Sequence, residues 1–363
     1  MEISHRYPAA PLRPINVPGR CSAYMSVNFN NYKASPSSTN TNLQYDVASS
    51  ESQSFKNRFF ILGMGYVGKF FAQELLNKEW IVSGTCTSNA KKLKLEEMGF
   101  NVHKFNANEP ELEVLDDLSH HTHLLVSVPP VEGIGDPLLQ HDELLKRRLV
   151  DGNLRWLCYL SSTSVYGNCG GAWVDEDYPV SSTSGSAKAK ARLAAEEGWL
   201  QFGSQLGLET KIFRLGGIYG PGRSAIDTIL KQKQLSEVQR LRSFSRYTSR
   251  VHISDICQAL HASIQKPSTV SIFNIVDDDP TPREEVFMYG QSLVEKKWPG
   301  HTRQLASHER VELSYSKVNV RGDKRVSNAR MKKELGVQLQ HPSYRSGLQS
   351  ILEHLDPSMN TPG

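Results

Sequence analysis

The stretch "RFFILGMGYVGKFFAQELL", residues 58–76, contains the signal that decides the fold. It begins with a short apolar run of the kind that forms a buried strand. Apolar residues at helical spacing follow from residue 69 onward. Between these two segments lie Gly63, Gly65 and Gly68 in the spacing G-x-G-x-x-G. A glycine turn that joins a strand to a helix predicts a site where backbone N–H groups bind a phosphate.

Each glycine of this turn has a separate expected task. Gly63 permits a tight turn, Gly65 lets a pyrophosphate approach the backbone, and Gly68 lets the helix pack closely on the strand. The alternative is a glycine-rich turn with a structural role only. The residues predicted to bind a dinucleotide cofactor here are Gly63, Met64, Gly65, Tyr66, Val67 and Gly68.

Six further apolar runs alternate with segments of helical character along the rest of the chain. Near-continuous apolar runs between helices are typical of parallel strands that are buried on both faces. The sequence therefore predicts an α/β fold with a doubly wound parallel sheet. The six runs are "WIVSGTC" (80–86), "NVHKF" (101–105), "THLLVSV" (122–128), "RWLCYL" (155–160), "ETKIFRL" (209–215) and "VSIFNIV" (270–276).

The end of the second predicted strand bears on the choice of cofactor. An Asp or Glu is expected there when the 2′-hydroxyl of NAD is bound. This chain has Thr87 and Ser88 instead, and Lys91 and Lys92 follow on the next predicted helix. Hydroxyl groups without a carboxylate favour a 2′-phosphate, so NADP is the predicted cofactor and NAD the alternative. The two lysines could equally form a solvated helix face.

The first 56 residues differ in composition from the rest of the chain. They are rich in Ser, Asn and Pro and have few acidic residues, which is typical of an organelle transit peptide. We expect a chloroplast protein; a disordered cytosolic tail and a mitochondrial leader are the alternatives. The formal charge of +4 and the absence of a long apolar run predict neither a nucleic-acid partner nor a membrane span.

Four more motifs follow the glycine turn in order: "YLSSTSVYGN" (159–168), "RLGGIYGPGR" (214–223), "RVHISDICQAL" (250–260) and "FNIVDDDPTP" (273–282). With it, they resemble the extended short-chain dehydrogenase/reductases of the NAD-dependent epimerase/dehydratase group. "VSVPP" and "GGAWVDE" look like its bacterial YeeZ-type branch, here in a plant-like organellar form. The resemblance implies a Rossmann domain over 57–356, with a smaller discontinuous substrate lobe built mainly from 221–250 and 277–345, and a tail at 357–363.

The resemblance also implies a catalytic Ser, Tyr and Lys, and the chain departs from that set. Ser162 matches the Ser position, but Lys188 takes the Tyr position and Arg192 the Lys position. Lys188 could act as a base only if burial favoured its neutral form, and otherwise it contacts an anion or solvent. Arg192 could hold a ribose or a phosphate. Tyr166 is the other candidate for a catalytic tyrosine, although in this group it is usually a packing residue.

The remaining candidate residues are basic or lie in a histidine cluster. Arg240, Arg242 and Arg250 are predicted to bind a small anionic substrate, with an exposed basic face as the alternative. The histidines of "SHHTH" (119–123) are expected to be solvated, and no metal site is predicted. A homodimer is the expected assembly.

Two hypotheses about function follow from these residues. The first is an NADP-dependent reductase or epimerase that lacks the usual Tyr-x-x-x-Lys pair. The second is a non-catalytic NAD(P)-binding protein that has a structural or redox-sensing role and acts through a partner.

Overall fold

A computed structural model describes residues 57–109, 112–180, 186–231, 247–300 and 323–355. Seven parallel strands form the central sheet in the order β10-β7-β5-β4-β1-β2-β3. The strand order reverses between β1 and β4, and such a switch point opens a crevice at the carboxyl ends of the strands. The strands are β1 (Arg58–Leu62), β2 (Ile81–Cys86), β3 (Asn101–Lys104), β4 (His123–Val126), β5 (Trp156–Ser162), β7 (Glu209–Leu215) and β10 (Ile272–Ile275). The predicted α/β Rossmann fold is thus confirmed.

Helices cover both faces of this sheet, and most residues of its strands other than β3 are buried. In β1, Phe59 and Ile61 belong to one buried cluster, whereas Phe60 and Leu62 belong to another. The helices of the described residues are α1 (Tyr66–Leu76), α2 (Asn89–Glu96), α3 (Leu112–Ser119), α4 (Asp142–Leu149), α5 (Ala187–Gln205), α6 (Ala225–Leu230), α7 (Ile253–Gln265), α8 (Arg283–Lys297) and α9 (Tyr344–Glu353). None of them is long and apolar enough to cross a membrane.

Two short strand pairs and a third apolar cluster lie outside the central sheet. The strand β6 (Trp173–Val174) pairs with β11 (Arg325–Val326), and β8 (Gly217–Tyr219) pairs with β9 (Arg250–His252). Residues from α6, α8 and α9 form the third cluster, which includes Ile226, Val294 and Leu348. Apart from β6, these elements fall within or beside the ranges predicted for the substrate lobe. The leader, the tail and the segments 232–246 and 301–322 of that prediction lie outside the described residues.

Candidate functional site

The glycine turn lies between β1 and α1 at the carboxyl edge of the sheet, and its three glycines meet different surroundings. Gly63 has a φ of +94°, which favours glycine, and its N–H donates to Thr85 Oγ1 at 2.9 Å. A Cβ at Gly68 would lie 3.0 Å from the Gly63 carbonyl oxygen and 3.1 Å from Ile61 Cγ2. A Cβ at Gly65 would meet nothing within 4 Å. The turn therefore has the geometry expected for a phosphate site: a tight bend, a close helix–strand contact and an open middle position.

Met64 and Val67 of the turn have buried side chains, so only their backbone groups could contact a ligand. Met64 donates its N–H to the Thr85 carbonyl at 2.7 Å, and its side chain is buried against Gly84. Val67 is buried in the same apolar cluster. Gly65 is the N-cap of α1 and supplies no side-chain hydrogen bond to the helix. The first N–H groups of α1 thus face the open position beside Gly65, where an anion would satisfy them.

Tyr66 begins α1 and keeps its ring half-exposed at the turn. Its hydroxyl donates to the Pro221 carbonyl at 3.0 Å, and the Arg223 guanidinium lies 5.3 Å from its ring centroid. Burial of the hydroxyl raises the pKa of Tyr66 above its ordinary value, although Arg223 acts in the opposite direction. Tyr66 therefore joins the glycine turn to the segment that follows β8.

The two residues that follow β2 carry hydroxyl groups, at the place where the sequence lacks a carboxylate. Thr87 is exposed, and Ser88 is the N-cap of α2, accepting a hydrogen bond from the Lys91 N–H at 3.4 Å. Lys92 forms an i,i+4 ion pair with Glu96 at 3.7 Å, so part of its charge is already balanced. Lys91 is exposed on the first turn of α2. The groups that could contact a phosphate at this end of the sheet are thus the hydroxyls of Thr87 and Ser88, the N-terminus of α2 and the ammonium group of Lys91.

Ser162 ends β5 at the same carboxyl edge and begins a 3₁₀ helix over Thr163–Tyr166. Its hydroxyl oxygen accepts a hydrogen bond from the Ser164 N–H at 3.2 Å, and the side chain is half-buried. Because the oxygen is the acceptor in that bond, the hydroxyl proton stays available for a second partner. Ser162 can therefore donate a hydrogen bond to a carbonyl or hydroxyl oxygen of a substrate.

Tyr166 occupies a buried polar network, and this geometry argues against the catalytic role considered for it. Its hydroxyl donates to Asn274 Oδ1 at 2.8 Å and accepts from Arg214 Nη1 at 2.9 Å. Burial raises the pKa of Tyr166 to about 12, although Arg214 opposes the shift. The hydroxyl makes both of these hydrogen bonds inside the protein, so Tyr166 has a structural role in the interior.

The same network fixes the helix that carries the Lys188 and Arg192 pair. Glu196 of α5 is buried and accepts hydrogen bonds from Arg214, the shortest being 2.7 Å between Glu196 Oε2 and Arg214 Nη2. Ser161 donates to the other carboxylate oxygen at 2.5 Å. Arg214 was not predicted to belong to the site, although an arginine between Phe213 and Leu215 in a predicted buried strand signals an acidic partner.

Lys188, Arg192 and Glu196 follow one another at four-residue spacing on α5 and so share one side of the helix. Lys188 is exposed, Arg192 is half-buried and Glu196 is buried. The burial that a neutral, basic Lys188 would need is therefore missing. The pair lies toward the solvent end of a helix anchored to β5 and β7, which suits contact with an anion.

Of the three arginines predicted to bind substrate, Arg250 lies within the described residues. Arg240 and Arg242 lie outside the described residues. Arg250 is buried, and its guanidinium donates to the Thr281 carbonyl at 2.8 Å and to the Thr248 hydroxyl. These bonds tie β9 to the loop before α8, so the geometry argues against Arg250 as a substrate ligand.

The histidine cluster is more buried than the sequence suggested. His121 and His123 are both buried, whereas His120 is exposed. His123 stacks on Phe59 with ring centroids 5.7 Å apart, and burial, with a contribution from Arg155, lowers its pKa to about 4. The expectation of a solvated cluster was wrong for these two residues, because His123 is the first residue of β4 and the ring of His121 packs against Phe60 with centroids 5.1 Å apart. Within the described ranges, no group of three or more acidic, Cys or His side chains could hold a metal ion.

Comparison with known proteins agrees with this architecture. The family described as the NAD-dependent epimerase/dehydratase family matches residues 59–276. The chain belongs to that family. The match begins in β1 and ends just after β10, so it spans the whole central sheet. A search of curated proteins finds no match.

Solved structures show the same fold. A functionally unknown conserved protein from Silicibacter pomeroyi is 30% identical, with a TM-score of 0.63, and the alignment covers 82% of this chain and 99% of that one. A UDP-glucuronic acid 4-epimerase from Bacillus cereus in complex with NAD is 15% identical, with a TM-score of 0.57 and coverage of 82% and 96%. A UDP-glucose 4-epimerase from Thermotoga maritima with UDP-glucose is 14% identical, with a TM-score of 0.63 and coverage of 82% and 98%.

Proposed function

We propose that this protein is an NADP-dependent reductase or epimerase that acts on a small anionic substrate. The observation that carries the proposal is the open position at Gly65, at the N-terminus of α1 and at the switch point of the sheet. The fit to a dinucleotide rests on the space that a side chain at Gly65 would fill and on the uncapped N–H groups beside it. When bound, the nicotinamide supplies hydride chemistry.

The residues of this chain would divide the remaining tasks among them. The backbone of the glycine turn binds the pyrophosphate, and Ser162 donates a hydrogen bond that orients the reacting oxygen of the substrate. Arg192 and Lys188 bind anionic groups of the cofactor or the substrate. No residue is assigned as the proton donor, because Tyr166 is held in the interior and Lys188 is exposed.

The preference for NADP over NAD rests on the end of β2. A carboxylate there would repel a 2′-phosphate, and the stretch 87–95 contains none. Thr87, Ser88 and Lys91 supply hydroxyl and ammonium donors at the N-terminus of α2. The family is NAD-dependent by its description, so NAD is the alternative cofactor.

A second candidate function is favoured by the missing Tyr-Lys pair: a non-catalytic NAD(P)-binding protein that senses redox state or supports a partner. Turnover separates the two. The protein is incubated with NADPH or NADH and a panel of keto compounds and nucleotide sugars, and nicotinamide absorbance reports reduction. NMR of the sugars reports epimerisation, which consumes no cofactor overall. Turnover that is lost in Ser162→Ala supports the enzyme, whereas tight cofactor binding without turnover on any compound supports the second function.

The cellular setting is also a proposal. We propose a plastid protein of the YeeZ-type branch, on the composition of residues 1–56 and on the "VSVPP" and "GGAWVDE" motifs. A fluorescent protein fused after residue 56 should enter plastids of plant cells. A diffuse cytosolic signal would contradict the leader assignment. A homodimer is proposed as the assembly, and sedimentation of the full chain tests it.

A further inference from the structure

The turn that follows β8 is held against the first turn of α1, although the two are far apart in sequence. The Tyr66 hydroxyl bonds the Pro221 carbonyl, and two backbone hydrogen bonds of 3.2 and 3.0 Å between Gly220 and Arg223 close the turn. A Cβ at Gly220 would lie 2.6 Å from the Tyr66 hydroxyl oxygen and 2.6 Å from Ile253 Cγ2. Only glycine allows the turn to come this close, so its position beside the glycine loop is built into the fold.

This turn brings a guanidinium beside the ring of Tyr66, the first residue of α1. Arg223 is exposed and lies over the ring of Tyr66. The first turn of α1 contains no acidic residue, and Gly65 gives it no side-chain cap. Asp227, the nearest acid in sequence, accepts a hydrogen bond from the Ser224 hydroxyl at 2.5 Å, and its charge contributes to the raised pKa of Tyr66. Across the described residues, no carboxylate forms an ion pair with Arg223.

A guanidinium beside the positive end of a helix is unfavourable unless an anion joins them. Its planar set of donors matches two phosphate oxygens at once. The ring of Tyr66 restricts the long side chain, which reduces the rotational entropy that binding must overcome. The arrangement therefore fits a bound diphosphate better than it fits an empty surface.

We propose that Arg223 is a ligand of the cofactor pyrophosphate and supplements the N–H groups of the glycine loop. This inference rests on the proposed function, since it assumes that a dinucleotide binds at Gly65. The side chain of Tyr66 and the close approach at Gly220 position Arg223 and do not themselves bind the phosphate. The cofactor would then be held from both halves of the chain, by α1 and by the turn after β8.

The test compares Arg223→Gln with the unmodified full-length chain by calorimetry. The probes are NADPH, ADP, 2′-AMP and UDP-glucose. We expect the affinity for NADPH and ADP to fall roughly tenfold, the effect of one charge-assisted hydrogen bond. The affinity for 2′-AMP should stay unchanged, because that nucleotide carries no 5′-phosphate. The matched control is Arg147→Gln on α4, an exposed arginine that removes the same charge away from the turn.

Each other outcome overturns the inference in a distinct way. An unchanged ADP affinity in Arg223→Gln would remove Arg223 from the cofactor site and leave the proposed function standing. A loss confined to UDP-glucose would assign the guanidinium to a substrate phosphate, and a loss confined to 2′-AMP would assign it to the 2′-phosphate. A wild-type chain that binds neither NADPH nor ADP would refute the proposed function and this inference together, before any variant is made.

A second variant tests the positioning by the turn while Arg223 is still present. Gly220→Ala forces the turn away from the Tyr66 hydroxyl, so we expect it to weaken ADP binding about as much as Arg223→Gln does. Thermal unfolding shows whether the variant is folded. A folded Gly220→Ala protein with full ADP affinity would contradict the positioning role.

Discussion

Replacing Gly65 by Val should remove cofactor binding while leaving the fold intact. The position has φ −82° and ψ −152°, which is extended backbone that a branched residue can adopt. A Cβ there would meet no protein atom within 4 Å, so the new side chain fits without a clash. It would occupy the space in which a pyrophosphate approaches the backbone. The substitution thus separates binding from stability.

The expected magnitudes follow from these contacts. Blocking two charge-assisted hydrogen bonds from backbone N–H groups, each worth about 1.5–3 kcal/mol, should weaken NADPH binding by more than about a hundredfold. Valine is a poorer N-cap than glycine, which costs roughly 0.5–1 kcal/mol, whereas the loss of glycine's freedom in the unfolded chain returns a similar amount. The free energy of unfolding should therefore change by no more than about 1 kcal/mol. Calorimetry measures the binding, and urea denaturation measures the stability.

Gly68→Ala is the matched control, because its Cβ would press on the Gly63 carbonyl oxygen and Ile61. We expect it to lower the free energy of unfolding by about 1–3 kcal/mol through overpacking. The reasoning would be refuted if Gly65→Val bound NADPH as tightly as the unmodified protein. It would also be refuted if Gly65→Val were the less stable of the two variants.

Three further predictions concern other residues of the site and core. Ser88→Asp keeps an N-cap acceptor for α2 but adds a negative charge, so NADPH affinity should fall relative to NADH; equal affinity of the unmodified protein for both would contradict the NADP assignment. Lys188→Ala and Arg192→Ala should each weaken cofactor or substrate binding by roughly 1–3 kcal/mol. If Lys188→Ala instead removed one limb of a pH–rate profile at constant cofactor affinity, Lys188 would be a base and the anion-contact account would be wrong. Burial lowers the pKa of His123 to about 4, so as the pH falls this histidine takes up a proton in the unfolded state before it does so in the folded state. The free energy of unfolding should therefore fall between about pH 6.5 and 4, by an amount on the order of 3 kcal/mol. His123→Phe should flatten that part of the pH dependence of urea unfolding, and a curve parallel to that of the unmodified protein would show that His123 does not cause it.

The long strands and the glycine turn could be predicted because local pattern and tertiary role agree there. The strands β1 and β7 have the bounds that the sequence predicts, because each contains a run of residues that is buried in the sheet. The strands β6, β8, β9 and β11 have two or three residues each and no periodicity of their own. They form where segments that are distant in sequence pair with each other, and the local sequence pattern does not predict that pairing.

The candidate site was predictable only where its geometry depends on the local backbone. Gly63, Gly65 and Gly68 differ in the structure as their spacing implies, because each reflects a local steric need. Side-chain roles depended on contacts between distant residues. The sequence leaves Tyr166 as a catalytic candidate, yet Arg214 and Asn274, on two strands of the central sheet, hold its hydroxyl.

The proposed role of Arg223 also depends on contacts between distant residues, and here the sequence indicates no role. In the sequence Arg223 is the last residue of "RLGGIYGPGR" and has no distinguishing pattern. Its significance comes from the contact between Tyr66 and Pro221, two residues that are 155 positions apart. Periodicity reports which side of an element is buried, but it does not report which elements meet.

The central claim is that the chain binds a nicotinamide dinucleotide through the turn at Gly65. The most direct test is calorimetric titration of the full-length protein with NADPH and with NADH, with thermal unfolding measured at saturating ligand. Our account predicts saturable binding of one dinucleotide per chain, tighter for NADPH, and a rise in unfolding temperature that Gly65→Val abolishes. The absence of binding heat and of a shift in unfolding temperature with both dinucleotides would contradict it.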